Sequence, residues 1–227
     1  MYKEIDGIKI EIIKKNIKNL HLYVKTPDGR VVVSAPKYLS YERILEFVHS
    51  KIVWIREQQV KILSQPHYEE KQYVDGDFIY VIGKKYALKV EYGFKKNQIT
   101  MSDDILTLSL KKEFTQKQKE KLIKEYYREI LKKVIEIYLP KWENITNLHC
   151  ESWQTKDMKT RWGTCNTTTR KIWFSLGLAQ KPIECIEYVI LHELSHLKVK
   201  GHGKDFKSIL DKFMPEWREV KKKLNLI

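Results

Sequence analysis

The segment between residues 182 and 197, PIECIEYVILHELSHL, constrains the fold more than any other part of the chain. As a helix it would be apolar around most of its circumference, at Ile183, Ile186, Val189, Ile190, Leu191, Leu194 and Leu197. Such a helix is expected to be buried, and Pro182 suits its first turn. It also carries His192, Glu193 and His196, and buried polar groups require partners. The rest of the chain must therefore enclose this helix and satisfy these three side chains.

The spacing of the two histidines predicts what satisfies them. Residues four apart lie on one face of a helix, with about 5 to 6 Å between Cβ atoms, so both imidazoles can reach one metal ion. The run from His192 to His196 fits the pattern H-E-x-x-H, in which the histidines bind zinc and the glutamate is the general base. The alternative is a pair of core histidines bonded to backbone carbonyls, which a helix interior rarely leaves free.

A third histidine completes the predicted site. His202 follows His196 by six residues, and Gly201 and Gly203 beside it are expected to permit the chain reversal that returns it to the metal. Glu216 or Glu219 is the alternative third ligand. Three protein ligands leave one position for water, as in catalytic zinc sites. The sequence therefore predicts peptide hydrolysis by a zinc-activated water, with Glu193 as base.

Other residues near this segment have weaker assignments. Cys150, Cys165 and Cys185 form no C-x-x-C pair, which predicts free thiols. Cys165 could be a fourth ligand, but that would close the site, so a structural thiol is favoured. Arg161 is a candidate to hold an oxyanion or a substrate carboxylate, with a structural ion pair or a surface position as the alternative.

The strand predicted at residues 171–177 has the aromatic and β-branched character of an edge that could pair with an extended peptide. On that hypothesis Ile172, Phe174 and Leu176 are substrate-binding residues. The alternative is an interior strand whose two edges are both occupied.

The whole pattern predicts an α+β fold. Residues 1–36 alternate as strands of an antiparallel hairpin or meander with a turn at Pro27-Asp28-Gly29, and a helix follows from an N-cap at Ser40 to about Ser64. Four strand-like segments lie between residues 77 and 111, and a long helix runs from Thr115 until Pro140 interrupts it. No internal repeat is visible. We expect a β-rich region at 1–112 and a zincin-like domain at 113–227, with the metal-binding helix packed on a small sheet.

The charge of the chain raises the question of a polyanionic partner. Lys and Arg number 43 against 29 Asp and Glu, a net charge of +14, and only seven of the cations are Arg. Lysine is a point charge without the fork that Arg uses to grip phosphate or guanine, so weak, non-specific DNA binding or a solubilising surface is expected.

Composition also indicates where the protein acts. The longest stretch without Asp, Glu, Lys or Arg, residues 172–180, is far shorter than the roughly 20 residues of a membrane-spanning helix. The first residues, MYKEIDGIKIEIIKK, lack the apolar region of a signal peptide. A cytoplasmic protein without membrane contact is predicted.

An ordered set of motifs resembles the YgjP-like predicted metal-dependent hydrolases, relatives of the SprT-like and WLM metallopeptidases. It comprises Arg161-Trp162-Gly163-Thr164-Cys165, the strand 172–176, residues 188–197, Gly201-His202, Asp205-Phe206 and Met214-Pro215, and further back Ala35-Pro36, Trp54-Ile55 and Gly83. The resemblance implies a zincin-type metallopeptidase domain with Zn²⁺ on His192, His196 and His202 and Glu193 as acid and base.

The SprT-like kinship also defines the alternative function. Those relatives include proteases that act on DNA-bound proteins. The runner-up is therefore a DNA-associated protein, either such a protease or a non-catalytic nucleic-acid-binding protein with a structural zinc. A protein or peptide substrate is the leading prediction.

Overall fold

The computed structural model describes residues 1–25, 28–63 and 71–226. Over these residues the chain forms two compact units, within residues 1–70 and 71–227, and mixes strands and helices as predicted. None of the helices over these residues combines the length and apolar character needed to cross a membrane.

The first unit is a four-stranded sheet followed by two helices. Its elements are β1 (Tyr2–Ile5), β2 (Ile8–Lys15), β3 (His21–Lys25), β4 (Arg30–Pro36), α1 (Tyr41–His49) and α2 (Ile52–Leu63). The strand order is β1-β2-β4-β3, with β2 parallel to β4. A continuous meander is therefore wrong, whereas β1 with β2 and β3 with β4 form antiparallel hairpins as predicted. Residues Val31, Val32 and Val33 are all buried, so β4 must be covered on both faces, which suits a central strand better than the half-exposed β3.

The predicted helix after Ser40 is two helices. Ser40 caps α1 through its side chain, which accepts a hydrogen bond from the N–H of Arg43, as the sequence indicated. At the break the Ser50 hydroxyl donates to the carbonyl of Phe47 at 2.7 Å, and Lys51 N–H bonds to Val48 three residues back. This local bonding interrupts the i to i−4 ladder. Pro27 of the predicted turn and the predicted helix end at Ser64 lie outside the described residues.

The second unit begins with another four-stranded sheet. It contains β5 (Phe78–Val81), β6 (Lys84–Tyr92), β7 (Gln98–Ser102) and β8 (Ile105–Leu110), in the order β5-β6-β8-β7 with β6 parallel to β8. These are the four strands predicted between residues 77 and 111. Strand order and pairing are the same as in the first sheet, so the chain contains a repeated sheet topology that its sequence does not display.

The long helix α3 (Gln116–Thr146) crosses this unit. It begins with a capping box in which Thr115 and Gln118 satisfy each other's backbone N–H groups. Pro140, which was expected to interrupt the helix as a bend or a boundary, lies inside it and does not end it. The ring lies on the exposed side of the helix, where water can satisfy the carbonyl that lost its partner.

The remaining elements surround the H-E-x-x-H segment. They are β9 (Ser152–Lys156), β10 (Gly163–Asn166), β11 (Lys171–Ser175), a short 3₁₀ helix (Leu176–Gln180), α4 (Ile183–Ser195), α5 (Lys204–Phe213) and α6 (Trp217–Leu226). The sequence analysis missed β10 and α6.

The two units divide at residue 70, well before the boundary expected at residue 112. The boundary lies there because the second sheet shares one hydrophobic core with α3 and α4. Leu106 and Leu108 of β8 belong to the same buried cluster as Leu131 of α3 and Ile190 of α4. The second sheet is thus part of the unit that holds α4.

Candidate active site

The turn between β5 and β6 holds the beginning of α4. The N–H of Ile82 donates to the carbonyl of Ala179 at 2.8 Å, and that of Gly83 donates to Gln180 at 3.2 Å. Gly83 has a φ of +79°, and a Cβ there would lie 3.0 Å from Cα of Pro182, the N-cap of α4. Only glycine fits both constraints, so this turn fixes where the helix starts.

Three histidines converge at the other end of α4. His192 lies in its last turn, His196 is its C-cap, and His202 lies in the loop that leads to α5. Nε2 of His192 is 3.3 Å from Nε2 of His196 and 3.2 Å from Nε2 of His202. Nitrogens bound tetrahedrally at 2.0–2.1 Å are about 3.3 to 3.4 Å apart, so these spacings suit one zinc-sized ion. The three residues could together hold a metal ion.

The protonation state of the histidines suits the same role. Nδ1 of His196 is 3.1 Å from the carbonyl of Val199. Because a carbonyl can only accept, Nδ1 carries the hydrogen and Nε2 keeps its lone pair. Burial, reinforced by His196 and His202, lowers the pKa of His192 to about 3. Burial also lowers the pKa of His196. Both are neutral at pH 7, the form that binds metals.

Two aromatic rings support this cluster. The ring of Phe206, buried in the first turn of α5, lies 4.8–4.9 Å from all three imidazole centroids. Tyr188, one helical turn before His192, contacts its imidazole edge-on at 5.8 Å. Phe206 therefore links the loop of His202 to the helix of the other two histidines.

The chain reversal after α4 does not use glycine's special freedom. Neither Gly201 nor Gly203 has a positive φ, and a Cβ at either position would meet nothing within 4 Å. The expectation that these glycines permit the reversal is wrong, because ordinary backbone geometry achieves it.

Glu219, one of the two residues considered as an alternative third ligand, forms an ion pair with Lys222 at 2.8 Å.

Glu193 lies beside the histidines and is only 4% exposed. Its Oε2 and the Nδ1 of His192 are buried without a hydrogen-bond partner among the described residues. Burial raises the pKa of Glu193 to about 8, and the charge of Arg161 opposes the rise. A buried carboxylate oxygen without a donor demands one, and a water in the adjoining cleft would supply it.

Gly163, the first residue of β10, makes room for this carboxylate. A Cβ at Gly163 would lie 2.6 Å from Oε1, 2.7 Å from Cγ and 2.9 Å from Cδ of Glu193. Any side chain there would displace Glu193. The strand thus approaches the helix as closely as its backbone allows.

The three histidines and Glu193 line a cleft with a volume of about 580 Å³. Its walls come from β10, α4, α6 and the loop after α4, and they include Arg161, Trp162, Lys200, Lys221 and Asn225. The indole of Trp162 donates to the side chain of Asn225 at 3.3 Å, which joins the wall before β10 to α6.

The predicted substrate strand is not an edge. β11 pairs with β10 on one side, antiparallel, and with β9 on the other, parallel. Ile172, Phe174 and Leu176 are buried in the interior, so they cannot contact a substrate and that assignment is wrong. Over the described residues β9 and β10 are the two edge strands of this sheet, and Gly163, Thr164 and Cys165 of β10 line the cleft.

The cysteines behave as free thiols. Cys165 faces the cleft but is not part of the metal-binding group found among the described residues. Burial, with a contribution from Glu193, raises its pKa to about 11, so it is a protonated thiol at neutral pH. Cys185 packs in the core.

Gly163, Phe206 and Tyr188 are the site residues that the sequence analysis did not assign. Tyr188 could have been found from its i−4 spacing to His192 on a helix. For Gly163 and Phe206 the sequence offered a single indication: both belong to motifs that carry the resemblance to the YgjP-like family.

Comparison with known protein families assigns the chain to the metal-dependent peptidases. Residues 18–226 match the family described as YgjP-like, metallopeptidase domain, and the chain belongs to that family. A search of the curated proteins finds no match.

Two solved structures are similar to part of the chain. One is the metallopeptidase zymogen jannalysin of Methanocaldococcus jannaschii, at 24% identity and a TM-score of 0.36, over 40% of this chain and 92% of that one. The other is the metallopeptidase zymogen abylysin of Pyrococcus abyssi, at 20% identity and a TM-score of 0.37, over 40% and 90%.

Proposed function

We propose that the chain is a zinc peptidase in which His192, His196 and His202 bind the metal and Glu193 is the general base. The observation that carries the proposal is the convergence of three Nε2 atoms, with two of the spacings at 3.2 and 3.3 Å, on a helix end beside a buried carboxylate. Zinc supplies Lewis acidity when bound: it acidifies a nearby water and polarises a carbonyl.

Glu193 is assigned as base and not as ligand. The group of atoms that lie within 4.8 Å of one another contains the three histidines and no carboxylate. A cation bound by the three histidines would favour the ionised form of Glu193 over the protonated form that burial favours. Its unpartnered Oε2 could then accept the proton of an attacking water and return it to the leaving amine.

The edge strand β10 suggests how a protein or peptide substrate is held. An extended peptide can add to a free strand edge through main-chain hydrogen bonds. The backbone of Gly163 lies so close to Glu193 that a Cβ there would be 2.6 Å from Oε1 of the carboxylate. A peptide paired with β10 would therefore pass beside the base. In this proposal β10 takes the role that the sequence analysis gave to β11.

Two substitutions separate the assigned roles. Glu193→Gln should keep about one zinc per chain and lose turnover, whereas His196→Ala should lose both metal and turnover. His149→Ala, at a half-exposed histidine away from the cluster, is the matched control and should change neither. Metal is measured by elemental analysis after zinc reconstitution and after chelation, and turnover with a peptide library.

Each part of the proposal can fail separately. Equal zinc loss in the Glu193 and His196 variants would identify Glu193 as a ligand. Reconstituted protein without stoichiometric metal would remove zinc from the proposal.

A further inference from the structure

Three cations surround the cleft from separate parts of the second unit. Arg161 precedes β10, Lys200 lies in the loop before His202, and Lys221 belongs to α6. All three are exposed. Among the described residues that line the cleft, the only carboxylate belongs to Glu193, which is buried. The rim of the cleft therefore carries uncompensated positive charge.

The contrast with neighbouring lysines shows that this charge is not a uniform property of the surface. Lys221, Lys222 and Lys223 are consecutive in α6. Lys222 pairs with Glu219 at 2.8 Å and Lys223 pairs with Glu184. Lys221, which faces the cleft, forms no ion pair with any residue that the structure describes, and the same holds for Arg161 and Lys200.

We infer that the peptidase prefers substrates with acidic side chains close to the scissile bond, which Arg161, Lys200 and Lys221 recognise by charge. The inference rests on the proposed function, because it takes the occupant of the cleft to be the peptide whose backbone is cleaved there. Three cations that line one cleft with a single buried carboxylate match a ligand with several negative charges and disfavour a basic one. An exposed charge pair contributes about 1.4- to 5-fold in affinity, so two or three together should give roughly tenfold discrimination.

The inference is tested with three peptides of one sequence that differ only in carrying Asp, Ala or Lys on both sides of the scissile bond. Binding to the zinc-loaded Glu193→Gln protein is followed by fluorescence anisotropy, and kcat/KM is measured with the wild type. We expect the order Asp, Ala, Lys in both measurements. The preference should shrink when the ionic strength rises from 0.01 to 0.15 M, because exposed charges are screened.

Matched variants assign the preference to the cleft. Arg161→Gln and Lys221→Met should each weaken binding of the Asp peptide about 1.4- to 5-fold. Neither substitution should change the affinity for the Ala peptide. Lys222→Met removes the adjacent, ion-paired lysine and should change neither. Equal affinities for the three peptides, or equal effects of the Lys221 and Lys222 variants, would overturn the inference.

Two further outcomes are distinguishable. Binding that follows the order Asp, Ala, Lys without cleavage of any peptide would support the charge preference and refute the proposed function. Duplex or single-stranded DNA bound through Arg161 and Lys221, with no preference among the peptides, would mean that these cations serve a nucleic acid and would overturn the inference.

Discussion

Replacing Gly163 by alanine should impair catalysis while leaving the metal in place. The φ of Gly163 is not in the left-handed region, so alanine can adopt the backbone conformation of β10. The added Cβ, however, would lie 2.6 Å from Oε1 and 2.7 Å from Cγ of Glu193. Because Cγ is contacted as well, rotation of the carboxylate alone cannot relieve the overlap.

The size of the effect follows from the displacement. Heavy atoms in ordinary contact are about 3.5 Å apart, so Glu193 must retreat by about 0.9 Å. A misplacement of about 1 Å can cost a factor of 10² in rate, which corresponds to about 2.7 kcal/mol in the activation barrier. We therefore expect kcat to fall about 100-fold, with KM and zinc content close to those of the wild type.

Gly201→Ala is the matched control, because a Cβ there meets nothing within 4 Å and the residue neighbours His202. Steady-state peptide cleavage and elemental analysis measure the two effects. In the Glu193→Gln background, where turnover is already lost, the Gly163 substitution should leave the zinc content unchanged, because it acts through Glu193. Wild-type kcat in Gly163→Ala, or loss of zinc in the double variant, would refute the reasoning.

Three further predictions concern the surroundings of the site. Phe206→Ala should destabilise the protein by about 3 to 5 kcal/mol and weaken zinc binding, because the ring packs against all three histidines; chemical denaturation and a zinc titration test this, and unchanged zinc affinity would contradict it. Cys165→Ser should keep zinc and turnover, because the protonated thiol is outside the metal-binding group, and loss of zinc would show that it is a ligand. Thr115→Ala removes the capping box of α3 and should lower the free energy of unfolding by about 0.5 to 2 kcal/mol in thermal or denaturant melts, with no change in turnover at temperatures where the protein is folded.

The parts of the fold that the sequence predicted well depend on neighbours within a few residues. The N-cap at Ser40 and the start of a helix near Thr115 were predicted, because each of these side chains accepts a hydrogen bond from the backbone N–H three residues further on. The helix that holds His192 and His196 was predicted for the same reason. Its i, i+4 spacing brings the two imidazoles together whatever surrounds the helix.

The strand arrangement could not be obtained in this way. A short apolar run such as residues 171–175 has the same pattern at an edge or in the interior of a sheet. Which of the two it becomes depends on strands elsewhere in the chain, and here β9 and β10 occupy both sides of β11. The parallel pairing of β2 with β4 and the joining of the second sheet to the core of α4 likewise depend on contacts between distant residues.

The sequence by itself therefore determined which groups are available for the proposed chemistry, through the identities and spacing of His192, Glu193, His196 and His202. Only the tertiary structure decided how a substrate could reach that chemistry. It placed Gly163 of the edge strand against Glu193, thirty positions later in the chain, and left the side chain of Lys221 on the cleft wall. Local spacing sets which groups share a helix face, whereas a strand edge or a cleft exists only after distant segments have packed.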